Sequence, residues 1–276
     1  MDINAQPVRR DRPALGSPDL WLLRLSDAPD SFADTATLDA AERERAEALA
    51  QPADRIRFTA AHVALRAVLG SYLAVPPTEV RYAREECPCC GAPHGRPALH
   101  GFPEDLHFSL SHRSDLVLIG VSQAPIGVDV ELVSDIQESD ELALMLHPDE
   151  QAEAQALNPV RRPRAVARLW TRKEAYLKGL GTGLGRDPAT DYIGLGTPQP
   201  RADWHFLDVP VDRGYVASAA VREPLIPTSL PPHRLTRHTP HHEPAPLPAV
   251  TAWGRPLSEA VDAFDGVHVR YGDVAS

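Results

Sequence analysis

The chain has 276 residues, 43% of them hydrophobic, and a formal charge of −10. That length allows one large domain or two ordinary ones with a proper core; the apolar content excludes wholesale disorder, and the charge argues against a general nucleic-acid binder, which would be basic. The longest apolar runs, such as "LVLIGV" at 116–121, are too short to span a bilayer, and the first residues lack a signal-peptide core, so a cytoplasmic protein is expected.

Taken in order, "DAAERERAEALA" (39–50) reads as a short charged helix. "PADRIRFTAAHVALRAVLGSYL" (52–73) reads as a longer one, with Phe58, Ala61, Leu65, Val68, Leu69 and Leu73 at three- and four-residue steps. "EVRYA" (79–83) reads as a strand, and a Cys/Pro/Gly-rich connection follows over 87–97. "LHFSLSH" (106–112), "DLVLIGVS" (115–122) and "IGVDVELV" (126–133) are β-rich segments separated by turn residues, which predicts an antiparallel sheet. After residue 138 the pattern turns helical. "HPDEQAEAQAL" (147–157) puts Pro148 and two acids at a helix start, and a second helix is predicted from about Val160 to Leu180, ending in "GLGTGLG". Strands are expected at 203–209 and 214–221.

A faint repeat runs through these elements. An Arg-rich helix ending "ALRAVLG" or "EAYLKGLG" leads in each half towards a strand of small and apolar residues, which fits two similar α/β halves about a pseudo-twofold axis. From about residue 223 the composition changes: eight of the 28 prolines and four histidines fall within 224–248, as in a Pro-rich linker. The segment "LSEAVDAFDGVHVRYGD" could form a helix and a strand.

Two lysines stand among 28 basic residues, and both lie in one helix, Lys173 and Lys178 on either side of Glu174. Trp170, Glu174 and Lys178 share a stripe at i, i+4, i+8. On the strand before it, Asp129 and Glu131 point to one face, and Val128, Val130 and Leu132 point to the other, which is expected to be the buried one. Two adjacent carboxylates repel unless a cation lies between them; the same pair also fits the solvated face of an ordinary amphipathic strand. Asp129, Glu131 and Glu174 together would form a hard oxygen site suited to Mg²⁺ with a substrate phosphate. Lys178, one turn beyond Glu174, could reach that phosphate as a compact ammonium or a proton donor, a role arginine's high pKa denies it.

"FSLSH" (108–112), "IGVDVE" (126–131) and "WTRKEAYLKGLGTGL" (170–184), in this order, resemble the signature of Sfp-type 4′-phosphopantetheinyl transferases, and "GRP" (95–97) and "RFTAAHVALR" (57–66) fit with it. The resemblance covers roughly residues 20–222. It implies a pseudo-dimeric, two-lobed α/β (α+β) fold, each lobe a small mainly antiparallel sheet with helices: residues 1–123 as an N-terminal lobe, 124–222 as a C-terminal lobe with the metal site, and 223–276 as a Pro-rich segment and tail. It implies an enzyme that moves the phosphopantetheine group of coenzyme A to a serine of an apo acyl or peptidyl carrier protein, with Mg²⁺. By matching position, Asp129, Glu131 and Glu174 would hold the metal. Glu174 would also act as the base and Lys178 would assist the leaving phosphate. Ser111, His112 and Arg96 would contact the phosphates of coenzyme A, with Arg45 and Arg57 near its 3′-phosphate. Lys173 has no assigned role. Coenzyme A and the carrier are the expected partners, with no nucleic acid and no membrane, and the protein is expected to be a monomer.

Other readings compete. The same site could serve a Mg²⁺-dependent hydrolase of coenzyme A or of modified carrier proteins, or a non-catalytic binding module. "CPCCGAPHGRP" invites a zinc reading through Cys87, Cys89, Cys90 and His94. A zinc ribbon needs a second ligand pair, so the ligand count alone favours a loop with incidental thiols. His62 reads as a packed or capping histidine that could also lie near the nucleotide.

Overall fold

Helix starts are written locally. In the computed structural model, which describes residues 10–13, 17–28, 30–102, 105–196 and 203–222 and the backbone of 268–270, α1 (Ala40–Ala48) begins in a reciprocal cap: Asp39 accepts from the Glu42 amide, and Glu42 accepts from the Asp39 amide. Helix α2 (Pro52–Leu73) starts on a proline, whose missing N–H costs nothing in a first turn. Helix α4 (Pro148–Gln155) repeats the capping logic with His147 and Glu150, after a helix not singled out in the sequence, α3 (Ile136–Ala143). Helix α5 (Arg162–Leu180) carries the lysines.

Among the described residues, the strands form three sheets. Strands β1 (Asp19–Arg24), β4 (His107–Arg113), β5 (Leu116–Ser122) and β9 (His268–Arg270) make a four-stranded sheet in the order β4-β5-β1-β9. Strands β6 (Ile126–Leu132), β7 (Trp204–Asp208) and β8 (Tyr215–Arg222) make a second, ordered β6-β8-β7, and β2 (Tyr82–Arg84) pairs β3 (Pro97–Leu99) as a small ribbon. Every pairing is antiparallel.

The layers run helix, sheet, sheet, helix. Trp21, Leu23, Phe108, Val117, Ile119 and Val121 pack on α2. The opposite face of that sheet, with Leu20, Leu116 and Leu118, packs on Ile126, Val128, Val130, Ala217, Ala219 and Val221 of the second sheet. The far side of the second sheet, with Phe206 and Ala220, packs on Ala175, Tyr176 and Leu177 of α5. This is the small-sheet α/β architecture the sequence predicts.

Three expectations are corrected, and one strand is new. Strand β6 does not join β4 and β5 but pairs with β8. It meets β4 through side chains, the hydroxyls of Ser109 and Ser111 accepting from the amides of Val128 (3.0 Å) and Val130 (3.3 Å). The strand predicted at 79–83 is shifted to 82–84, because Pro77–Glu79 form a short 3₁₀ turn. Strand β1, at the heart of its sheet, was not predicted. Finally, both faces of β6 are covered over most of its length: Asp129 is buried, while Leu132, placed in the core by alternation, lies exposed at the strand's end. The strand expected within 257–273 is found as β9; the helix there and the Pro-rich stretch lie outside the described residues.

Candidate active site

Gly127 decides how close α5 comes to β6. A Cβ on it would lie 1.9 Å from the Ala175 carbonyl oxygen, so only glycine lets the helix backbone rest on the strand. Glu174 and Lys178 are thereby brought over Asp129. A cavity of about 1330 Å³ opens beside this contact. It is bounded by α1 and α2, by β4 and β6, by α5 with its glycine-rich extension to residue 185, and by the β2–β3 ribbon.

All nine predicted site residues line it: Arg45, Arg57, Arg96, Ser111, His112, Asp129, Glu131, Glu174 and Lys178. At its floor, Asp129 Oδ1 accepts from Lys178 Nζ (2.6 Å) and Ser111 Oγ (2.9 Å). Lys178 also donates to the Val128 carbonyl (3.3 Å) and approaches Ser111 Oγ (3.4 Å). Asp129 Oδ2 is buried and has no hydrogen-bond partner among the described residues. Glu131 pairs with Arg113 at 3.1 Å, a contact the sequence reading did not include. Burial, then the charge of Asp129, push the Glu131 carboxyl above its ordinary range. Burial does the same to Glu174, against the nearby Lys178 ammonium. The three carboxylates are not drawn into one tight cluster; among the described residues, the sole trio with ligand atoms within 4.8 Å of one another is Cys87, Cys90 and His94.

The basic residues are already engaged. Arg96 forks onto Glu85 (2.8 and 2.9 Å) and donates to the Gly179 carbonyl (2.7 Å), tying the ribbon to α5. Arg57 donates to Asp54 and to the Ser114 carbonyl, both at 2.7 Å. Arg45 lies over the Phe58 ring, 5.9 Å from its centroid. His62 also lines the cavity; it stacks on Phe58 and sits 3.0 Å from Glu42. Burial, then the charges of His62, Arg57 and Lys178, lower the His112 pKa to about 4. Its imidazole is therefore neutral at pH 7, in a positive local field that favours an anion.

Lys173 is not part of this site. It is fully buried, with Nζ between the Glu150 oxygens (2.9 and 3.0 Å) and donating to the Asp191 carbonyl. Its partners lie on α4 and in the loop after α5, too far along the chain for helix periodicity to reveal.

Two packed antiparallel sheets with outer helices thus form an α/β fold whose polar cavity brings carboxylates and cations together. Residues 125–220 match the 4′-phosphopantetheinyl transferase superfamily. The chain is 32% identical over 212 residues to the 4′-phosphopantetheinyl transferase HetI of Nostoc sp., spanning 73% of this chain and 86% of that protein. It is 30% identical over 173 residues to a putative 4′-phosphopantetheinyl transferase of Synechocystis sp., spanning 62% of this chain and 67% of that one. With the 4′-phosphopantetheinyl transferase Sfp of Bacillus subtilis it shares 23% identity over 198 residues, 68% of this chain and 84% of the other. The chain belongs to the 4′-phosphopantetheinyl transferase family and is a transferase. Among the described residues, no helix is long and apolar enough to cross a membrane.

Proposed function

We propose that this enzyme transfers the 4′-phosphopantetheine group of coenzyme A to a serine hydroxyl of an apo acyl or peptidyl carrier protein, with Mg²⁺. One observation carries the residue assignment: Asp129, whose buried Oδ2 has no hydrogen-bond partner among the described residues, lines one cavity with Glu131 and Glu174, and burial holds both of these above their ordinary pKa. An orphaned buried oxygen beside poorly solvated carboxylates is the pattern of a site that wants a cation. Three carboxylates suit a hard ion, and Mg²⁺ takes few protein ligands alongside water and phosphate. Asp129, Glu131 and Glu174 would hold it; when bound, it offsets diphosphate charge as the bond breaks.

The chain's own groups do the rest. Arg45, Arg57, Arg96, Ser111 and His112 bind and orient the phosphates along the cavity wall. Glu174, directly or through a water, takes the proton of the carrier serine as its oxygen attacks the phosphorus bearing pantetheine. The bond from that phosphorus to the bridging oxygen breaks, and adenosine 3′,5′-bisphosphate departs against the Lys178 ammonium. In this reading residues 1–123 form one lobe and 124–222 the other, with the substrate between them, and residues 223–276 are a Pro-rich segment and tail. The protein works as a monomer in the cytoplasm, where free thiols such as its three cysteines persist.

The test uses the full chain with Mg²⁺, coenzyme A and an apo carrier protein, and reads the carrier's intact mass. A phosphopantetheine adduct that requires the metal is expected. Breakdown of coenzyme A with an unmodified carrier would make the protein a hydrolase. Binding without turnover would make it a recognition module.

A further inference from the structure

The ribbon of β2 and β3 closes through Cys87-Pro88-Cys89-Cys90-Gly91, a turn the transfer chemistry does not use. The Cys87 carbonyl accepts from the amides of Cys90 (3.3 Å) and Gly91 (2.8 Å), and the Cys87 amide donates to the Ala92 carbonyl (2.8 Å). Gly91 takes φ +73°, in the left-handed region that strains any side chain. The chain is thereby folded into a tight knuckle.

His94 folds back onto this knuckle. Cys90 Sγ lies 3.0 Å from His94 Nε2, and the ligand atoms of Cys87, Cys90 and His94 are all within 4.8 Å of one another. Bonds of about 2.3 Å to sulfur and about 2.0 Å to nitrogen put the donors of a tetrahedral ion roughly 3.5 Å apart. The trio therefore reaches that geometry by side-chain shifts on the order of an ångström. Two thiolates and an imidazole suit borderline-soft Zn²⁺, not the hard ion of the carboxylate site.

We propose that Cys87, Cys90 and His94 bind a Zn²⁺ ion, with solvent in its fourth position, and that this ion clamps the ribbon at the end of α5. The knuckle is built against that helix end. A Cβ on Gly181 would lie 3.8 Å from Pro88 Cδ and 3.2 Å from the Arg96 amide nitrogen. Arg96, two residues past His94, donates to the Gly179 carbonyl. Joining Cys87 to His94 closes the loop that leads into this wall of the cavity, so the ion is a positioning element for Arg96 and takes no part in the reaction.

The experiment strips the full chain with chelator under reductant and titrates it with Co²⁺. One equivalent should give tetrahedral d–d bands and a thiolate-to-cobalt charge-transfer band, both displaced by Zn²⁺. The histidines at 233–242 cannot produce the thiolate band, so binding there does not count. Cys90→Ser and His94→Asn, both at exposed positions, should keep the circular dichroism of the parent and lose tenfold or more in Co²⁺ affinity; Cys89→Ser should keep the parent's affinity. Zn²⁺ should raise the melting temperature of the parent and leave that of Cys90→Ser unchanged. No charge-transfer band in the parent, or an undiminished band in Cys90→Ser, would overturn the proposal. So would a Cys87–Cys90 disulfide, seen as a loss of two hydrogens in the reduced sample, while loss of the band in Cys89→Ser would overturn the three-ligand assignment.

Discussion

Lys173 holds its ammonium between both Glu150 oxygens, and Glu150 also accepts from the amides of Ile193 (2.7 Å) and Gly194 (3.2 Å). A planar guanidinium would not fit this closed pocket, which explains a lysine in an Arg-rich chain. Lys173→Ala would strand the buried Glu150 charge and should cost about 3–5 kcal/mol in urea denaturation. Glu174 behaves oppositely. Burial raises its folded pKa, so the folded state binds the proton more tightly than the unfolded state does. Its contribution to stability is then lost as pH rises from the ordinary carboxylate value through the raised one. Glu174→Gln should therefore be at least as stable as the parent above that window without metal, while transfer falls by about 10³-fold. Near-normal turnover would refute its assigned role. The third residue to watch is His112. Its imidazole should titrate near pH 4 in the free protein, followed by NMR, and coenzyme A should raise that value, because a bound diphosphate favours the imidazolium. An unmoved midpoint would place the phosphates elsewhere.

At the scale of elements, the contact between β6 and α5 aligns Asp129 with Glu174 and Lys178. It depends on two small residues, Gly127 beneath the Ala175 carbonyl and Gly179, where a Cβ would lie 2.6 Å from the Trp204 ring. Gly127→Ala must push the helix off the strand. It should destabilise the fold by about 1–3 kcal/mol, as overpacking does, and lower turnover more than it weakens coenzyme A binding, because the acids and the ammonium separate. A variant with normal kcat would show that this alignment is not needed. Strand β4 contributes differently: its alternating serines replace a backbone ladder with side-chain bonds to β6. The spacing of Ser109 and Ser111 was visible in the sequence; their use in joining two sheets was not.

Over the whole molecule, an acidic protein presents a cavity edged by Arg45, Arg57, Arg96, His62 and Lys178. Attraction for a phosphate-bearing ligand would thus be local, and in the proposed role protons and metal would compete for the carboxylates beneath it. Because Glu131 and Glu174 are held above their ordinary pKa, protons should displace the metal at higher pH than they would from free carboxylates. The Mg²⁺ concentration for half-maximal rate should rise as pH falls through that raised range. A pH-independent requirement would remove these two residues from the ligand set.

Periodicity and turn chemistry determined much of this protein without coordinates. Helix 52–73 was legible from its apolar steps, the strands read at 115–122 and 126–133 from short apolar runs between turn residues, and the candidate site from ordered motifs that resemble a known family. Strand β1 was not legible, because "DLWLLR" is buried almost throughout and shows no alternation. The partner of β6 was not legible either, because β8 lies far along the chain and local pattern carries no pairing information. Tertiary structure alone decided that Asp129 is buried: alternation marks its face as polar, but α5 comes to rest on that face because Gly127 leaves room for it. The folded chain likewise separated the two lysines by function, since the acceptors that close around Lys173 belong to elements that only packing brings to it.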